Sequence, residues 1–295
     1  MKSTDARLSY LLLAPALFIL GSMALFPILV VIWLSLQRRL PIFNIATFVG
    51  VENYHFLVLD ARFWNSLVNT LYFTTVSVVL ELILGLAIAI LLNRPFVARG
   101  WMRATLLIPW IIPTVVSARM WEWLYNVEFG ILNYLLIIMG LSKEPLNWLG
   151  SPSWAIHAAI FMEVWKTTPF AAILFMAGLQ TIPTELYHAA RVDGATSWVV
   201  FRRITLPLLR PVILLVLLFR TLDAFRVFDA VYVLTGGGPA NTTETLSIYT
   251  YKTLFQTLQF GYGSTLAVAM FGCVILISLV YLKLLGREYW RELAR

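Results

Sequence analysis

Charge is what this sequence has least of. Only 13% of its 295 residues are Asp, Glu, Lys or Arg and 60% are hydrophobic, where soluble globular chains carry about 25% charged residues. With a mean hydropathy of +0.82, the composition excludes a soluble domain and describes an integral membrane protein. There is one cysteine, Cys273, inside an apolar run, which excludes a disulfide framework and a thiolate metal site. The three histidines include His157 and His188, neither with a second histidine at ligand spacing, so no metal is expected. A phosphate-binding loop is missing as well. The run TGGGP at 235–239 lacks a following Lys-Ser/Thr and a preceding hydrophobic strand. No cofactor is therefore expected in this chain, and any ATP-driven process would take its ATP and magnesium from another chain. No internal repeat or low-complexity segment is evident.

What is present is a series of long apolar runs. Crossing a bilayer takes about 20 residues, and six runs qualify: 10–36, 67–92, 104–125, 154–178, 211–234 and 263–285. The first exceeds the apolar core of a signal peptide and lacks a small-residue cleavage site. Two further stretches, 129–140 and 249–258, are too short to cross and read as interfacial helices. Residues 37–64 form an outer loop, and 235–245 (TGGGPANTTET) read as a flexible polar loop on the same side.

The net charge of +7 lies at the ends of these runs and not in one stripe, which points to membrane orientation and not to nucleic acid. Lys2, Arg7, Arg94, Arg99, Arg103, Arg191, Arg202, Arg203, Arg210, Lys283, Arg287, Arg291 and Arg295 share one side. Arg38, Arg39, Arg62, Lys143 and Lys252 occupy the other. Positive residues accumulate in the cytoplasm, so both termini are expected there. The expected fold is all-α: a polytopic membrane protein of six transmembrane helices, forming a single domain over 1–295.

One segment interrupts the apolar pattern between the fourth and fifth runs. Residues 183–211, PTELYHAARVDGATSWVVFRRITLPLLRP, carry Glu185, Arg191, Asp193, Arg202, Arg203 and Arg210. Ala189, Val192, Ala195, Val199 and Val200 recur at helical spacing. Gly194 permits a turn, and Pro207 and Pro211 stop or restart helices. A short amphipathic helix, a glycine and a second helix are expected, on the cytoplasmic side.

Charges also lie inside the runs, where each costs several kcal/mol (about 3 on insertion scales) unless paired or facing water. Glu163, Lys166, Thr167 and Phe170 follow i, i+3, i+4, i+7 spacing in the fourth run. Arg220, Asp223, Ala224 and Val227 do the same in the fifth, with Arg226 and Asp229 partly to the side. One reading is a polar cavity for a neutral, hydroxyl-rich solute, with Trp165 and Phe170 stacking on its apolar face. The other makes Glu163–Lys166 and Arg220–Asp223 intrahelical salt bridges that lock packing. Glu81, alone in VVLELILG, reads as a buried packing or hydrogen-bonding residue. Arg119 and Glu122 read as an i, i+3 pair.

The 183–211 segment resembles the coupling loop of ABC-importer permeases, through Ala189, Ala190, Asp193, Gly194, Ala195, Phe201, Ile204, Leu206 and Pro207. His188 stands where that motif has a glutamate, with Glu185 one turn earlier. Trp33, Ser35 and Leu36, then Glu52 with Asn53–Tyr54, EVWKTTPF, LTGGGP, Tyr249 and Tyr251 extend the resemblance over the chain. The chain is similar to the carbohydrate-uptake group, in particular the first permease of a heterodimeric trehalose/maltose-type pair. The resemblance implies alternating access, with Glu163, Lys166, Thr167, Phe170, Arg220, Asp223, Ala224 and Val227 lining a disaccharide site. It implies that Glu185, His188, Ala189, Ala190, Asp193, Gly194 and Ala195 meet an ATPase. The partners implied are a second permease, two ATP-binding subunits and an extracytoplasmic sugar-binding protein, in an inner or cytoplasmic membrane. In this reading the chain is not itself an enzyme. The residues do not separate trehalose, maltose and glycerol-phosphate-type solutes. They also leave an ion-coupled carrier working through Asp223, or a membrane enzyme built on Glu163 and Asp223, as other classes.

Overall fold

A computed structural model describes residues 12–293, so Lys2, Arg7 and Arg295 lie outside the described residues. The chain is mostly helical. It runs α1 (Leu12–Ser35), a hairpin of β1 (Gln37–Leu40) and β2 (Ile45–Phe48), α2 (Glu52–Leu59) and α3 (Ala61–Asn93). Then come α4 (Arg99–Ile111), α5 (Thr114–Leu124), α6 (Ile131–Ile138), α7 (Ala155–Gln180) and α8 (Thr184–Val192). The remainder is α9 (Ser197–Leu208), α10 (Arg210–Phe225), α11 (Asp229–Leu234), α12 (Leu246–Tyr251) and α13 (Phe260–Leu293). The expected all-α chain thus contains one antiparallel hairpin, with Gln37 opposite Phe48 and Leu40 opposite Ile45.

Helices α1, α3, α7 and the apolar part of α13 are each long and apolar enough to cross a membrane; two bent pairs, α4–α5 and α9–α10, raise the number to six if each pair is one span. The expected third run, 104–125, is not a continuous helix. It breaks by 95° between α4 and α5, because Pro113 cannot donate a backbone bond and forces Ile112 out of the helical region, to ψ 131°. The expected fifth run, 211–234, is likewise divided. Its helix ends at Phe225, and α11 starts only at Asp229.

The described residues cluster into two compact units. One comprises 12–63 and 249–272. Here the end of α1 is tied by side chains that substitute for helical bonds. Asn53 Nδ2 donates to the carbonyls of Ser35 (2.8 Å) and Gln37 (2.9 Å), and the hydroxyls of Ser35 and Tyr54 lie 2.7 Å apart. Gly261 is required at this point, since a Cβ there would meet the Gln37 carbonyl oxygen at 1.9 Å. Asp60 accepts from Tyr249 (2.6 Å), from Tyr262 and from the backbone N–H of Arg62 (2.9 Å). The Arg62 guanidinium stands 4.6 Å over the Tyr249 ring. By contrast α1 exposes its apolar side chains along its length, a surface suited to lipid or another chain.

The other unit, 64–248 with 273–293, holds two apolar clusters. One gathers Phe73, Trp121, Met162 and Val227; the other gathers Ala89, Ala171, Phe175 and Val216. One ionisable residue of each of α3, α7 and α10 falls between them: Glu81 between 73 and 89, Lys166 between 164 and 171, Arg220 between 216 and 227. The segment 235–245, expected to be flexible, is instead tightly braced. Thr243 Oγ1 donates to the Gly238 carbonyl (2.7 Å) and lies 2.7 Å from Thr235 Oγ1. Asn69 Nδ2 reaches the carbonyls of Asn241 and Glu244, both at 3.1 Å. Threonine hydroxyls and an asparagine from a distant helix satisfy the loop's backbone, and Thr243, Glu244 and Thr245 are buried.

The Asp60 cluster carries a pH-dependent prediction. Burial acts to raise its carboxyl, but the Tyr249 and Tyr262 hydroxyls and the N–H groups of Arg62 and Phe63 outweigh it, holding Asp60 below its ordinary 3.8. A lowered carboxyl contributes stability above its unfolded value, and that contribution is lost as pH falls through the folded one. The melting-temperature gap between the wild type and Asp60→Asn should therefore be level near neutrality and close below about pH 4. A gap that stays constant in acid would remove the carboxylate from this role.

Candidate functional site: an ion-paired cavity between broken helices

Arg220 is the centre of the site. Its side chain is 4% exposed, and such a charge persists in an apolar layer only if its donors are met. Its Nε donates to Glu81 Oε2 at 2.6 Å and its Nη2 to Glu81 Oε1 at 3.1 Å, a bidentate pair. Nη2 also reaches Glu163 Oε1 at 3.3 Å, and Nη1 donates to Asp223. Glu81 is fully buried and is steadied by the Thr167 hydroxyl, 2.7 Å from its Oε1. The network thus joins α3, α7 and α10.

The expected intrahelical pairs divide. Arg220–Asp223 forms, and so does Arg119–Glu122 at 2.6 Å on the exposed part of α5. Glu163 and Lys166 do not pair. Glu163 turns to Arg220, and Lys166 Nζ donates to the Ile112 carbonyl. That acceptor is free because Pro113 ends α4 there. A break in one helix is therefore capped by a lysine from another.

Beside this network lies an open cavity of about 630 Å³, within the range of roughly 300–1,000 Å³ typical of small-molecule sites. Glu163, Lys166, Thr167, Arg220, Asp223 and Val227 line it. The Asp223 carboxylate is turned to it, its side chain 61% exposed. Phe170 and Ala224 are not among the lining residues. Phe170 stacks on Trp110 (ring centroids 6.0 Å, planes at 28°), and Trp110 itself lines the cavity. Trp165, expected to stack on solute, is instead turned into the cluster around Trp121, with centroids 5.5 Å apart.

Residues 226–229 complete the wall. Arg226 and Asp229 lie at the interruption between α10 and α11 and are exposed to the cavity. Irregular backbone inside a membrane protein is tolerated where it lines a polar space. The wall thus offers cationic donors (Lys166, Arg226), carboxylate acceptors (Asp223, Asp229), a hydroxyl (Thr114) and an indole plate (Trp110). It suits a solute with many hydroxyls and one apolar face. Among the described residues no group of acids, histidines or cysteines could hold a metal ion.

Sequence reasoning placed Glu81 as a buried packing or hydrogen-bonding residue, as found, but missed its partner. Its only signal was a lone carboxylate in an apolar helix, and its arginine is 139 residues away. Trp110 and Thr114 carried no spacing that set them apart from interfacial residues.

The coupling candidates on and after α8 sit apart from the cavity. Glu185, His188, Ala189, Asp193 and Gly194 are exposed, Ala190 is buried and Ala195 is half-buried. Gly194 has φ +73°, the left-handed region that glycine enters without penalty.

The ion network should behave as one unit. Arg220→Met leaves Glu81 buried without its partner and should cost about 3–5 kcal/mol, whereas Glu81→Gln/Arg220→Met should recover part of that loss. Unfolding of detergent-purified variants checks this, and strictly additive losses would break the pairing.

Comparison with known proteins accords with this arrangement. The family described as binding-protein-dependent transport system inner membrane component matches residues 81–289. The trehalose/maltose transport system permease protein MalF of Thermococcus litoralis is 45% identical over 284 residues, covering 96% of this chain and 95% of the relative. The trehalose transport system permease protein SugA of Mycobacterium tuberculosis is 41% identical over 290 residues, covering 97% and 91%. The sulfoquinovosyl glycerol transport system permease protein SmoG of Agrobacterium fabrum is 41% identical over 286 residues, covering 95% and 91%. A solved bacterial ABC transporter involved in the import of the acidic polysaccharide alginate has the same fold, with a TM-score of 0.82 at 23% identity and 96% of each chain covered. The chain belongs to the inner-membrane permease components of binding-protein-dependent ABC transport systems.

Proposed function

We propose that this chain is the membrane-spanning subunit of an ATP-driven importer that passes a sugar, a disaccharide such as trehalose or maltose, across the membrane. The cavity carries the proposal: a polar wall of mixed sign, backed by an indole plate, set where the chain breaks between α4 and α5 and between α10 and α11. The relatives named for trehalose and maltose transport point the same way. Lys166, Asp223, Arg226 and Asp229 are the groups placed to exchange hydrogen bonds with sugar hydroxyls, and Trp110, backed by Phe170, offers the stacking plate. Glu163 and Arg220 set the wall's charge, and Thr167 and Val227 contribute to its shape.

In this reading each bent pair counts as one span, giving six within a single domain, with both termini cytoplasmic. The sugar arrives on an extracytoplasmic binding protein; a solved alginate transporter with a related fold is described in complex with such a periplasmic protein. A second, different permease covers the open side of the cavity and part of the exposed α1. Of the two ATP-binding subunits, one meets α8 and its surroundings, where Val192 and Trp198 stand exposed on the same segment as Glu185 and His188. ATP and magnesium bind in those subunits. Their closure moves α8, and the connected spans alternate between outward and inward access.

Purification from the native membrane should recover one ATPase and a second permease with this chain. In vesicles, uptake of labelled trehalose or maltose should stop without ATP and ignore a collapsed ion gradient. Uptake that follows the gradient and not ATP would restore the ion-coupled carrier.

The turn at Gly194 gives a sharper test. No neighbour lies within 4 Å of a Cβ placed there, so Gly194→Val strains only the left-handed backbone, by about 1–2 kcal/mol. The variant should keep a folded membrane part but lose several-fold in sugar moved per ATP hydrolysed. Unchanged coupling would separate this turn from the ATPase.

A further inference from the structure

A second cavity, of about 690 Å³, lies between the end of α3, the connection into α4, the end of α7 and the face of α8. Its charged lining is of one sign. Arg94, Arg99 and Arg191 face it, with His188 beside them, and no Asp or Glu lines it. Among the described residues none of the three arginines makes an ion pair. The Nε of Arg99 is buried without a hydrogen-bond partner. Concentrating cations in a concave, partly apolar site raises the local potential and favours an anion. Guanidinium groups match a phosphate through paired N–H donors.

The surroundings say which anion. The chain that brings Arg94 and Arg99 also projects Phe96, Val97 and Trp101 outward; Val97 is wholly exposed and Trp101 is 80% exposed. Arg99 opens α4, whose first two turns place arginines on one side and apolar residues on the other. Exposed apolar groups and tryptophan flanking arginines are the pattern of a segment lying at the level of lipid headgroups. A soluble anion would leave that apolar rim in water.

We propose that this cavity binds the headgroup phosphate of an anionic phospholipid, such as phosphatidylglycerol, through Arg94, Arg99 and Arg191. The acyl chains then run over Phe96, Val97 and Trp101. The assignment rests on the orientation proposed above, which puts this side at the cytoplasmic leaflet. Because Arg191 belongs to α8 while Arg94 precedes α4 and Arg99 opens it, one bound lipid bridges the ATPase-facing helix and the cavity-lining spans. Transport then depends on the charge of the inner leaflet.

The purified full-length protein, with whatever subunits accompany it, is exposed to mixed phosphatidylcholine and phosphatidylglycerol. Lipid retained per permease chain is then read by native mass spectrometry. The wild type should prefer phosphatidylglycerol. Each arginine near an anionic headgroup contributes about fivefold, so Arg94→Gln/Arg99→Gln should lose roughly 25-fold of that preference. Arg94→Lys/Arg99→Lys should keep most of it. A preference unchanged in the glutamine variant overturns the site. Displacement by inorganic phosphate at the lipid's own concentration would assign a free-anion site instead, and loss of the ATPase from the glutamine variant with lipid preference intact would assign the arginines to subunit docking. Because lipid is counted on this chain, the result stands whether or not partners are recovered, whereas their absence counts against the importer reading alone.

Discussion

A single guanidinium, that of Arg220, sets the register of three membrane helices. It lies in a layer between two apolar clusters and engages Glu81, Glu163 and Asp223. Buried ion pairs seldom add much stability over apolar packing, but losing one partner is severe. Specificity is therefore the stronger account of this network. Sliding α3, α7 or α10 by one turn would leave at least one carboxylate or the guanidinium in an apolar layer. With Glu81 held on one side, Asp223 is left free to turn most of its side chain to the cavity.

The cavity itself is made by interruptions. Pro113 ends α4 and frees the Ile112 carbonyl, which Lys166 then caps. The chain between Phe225 and Asp229 leaves helix geometry and brings Arg226 and Asp229 to the wall. Continuous helices would have presented only side chains at 3.6-residue spacing. Broken ones also present helix ends and backbone, which suits a hydroxyl-rich solute.

Much of this was legible before any coordinates, and the parts that were not share a cause. Long apolar runs and the faces holding Glu163, Lys166, Arg220 and Asp223 follow from local periodicity, and the family is visible in the motif around Gly194. What escaped depends on residues far apart in sequence. Glu81 was legible as a buried packing or hydrogen-bonding residue, but its partner was not, because that arginine is on another helix 139 residues away. The 235–245 loop looked flexible because Asn69, which braces it, lies in α3. Trp165 looked like a sugar-stacking ring because spacing along α7 does not reveal that Trp121 draws it away. Pro113 lies inside the expected third run, 104–125, yet here it bends the chain by 95°.

The distance between Glu81 and Arg220 also has a temporal meaning. A ribosome adding about 5–20 residues per second completes Glu81 on the order of ten seconds before the arginine 139 residues later. Throughout that interval α3 carries a carboxylate that nothing yet made can neutralise in the native way. Until α10 is made, the native pairing that buries the Glu81 carboxylate of α3 cannot close.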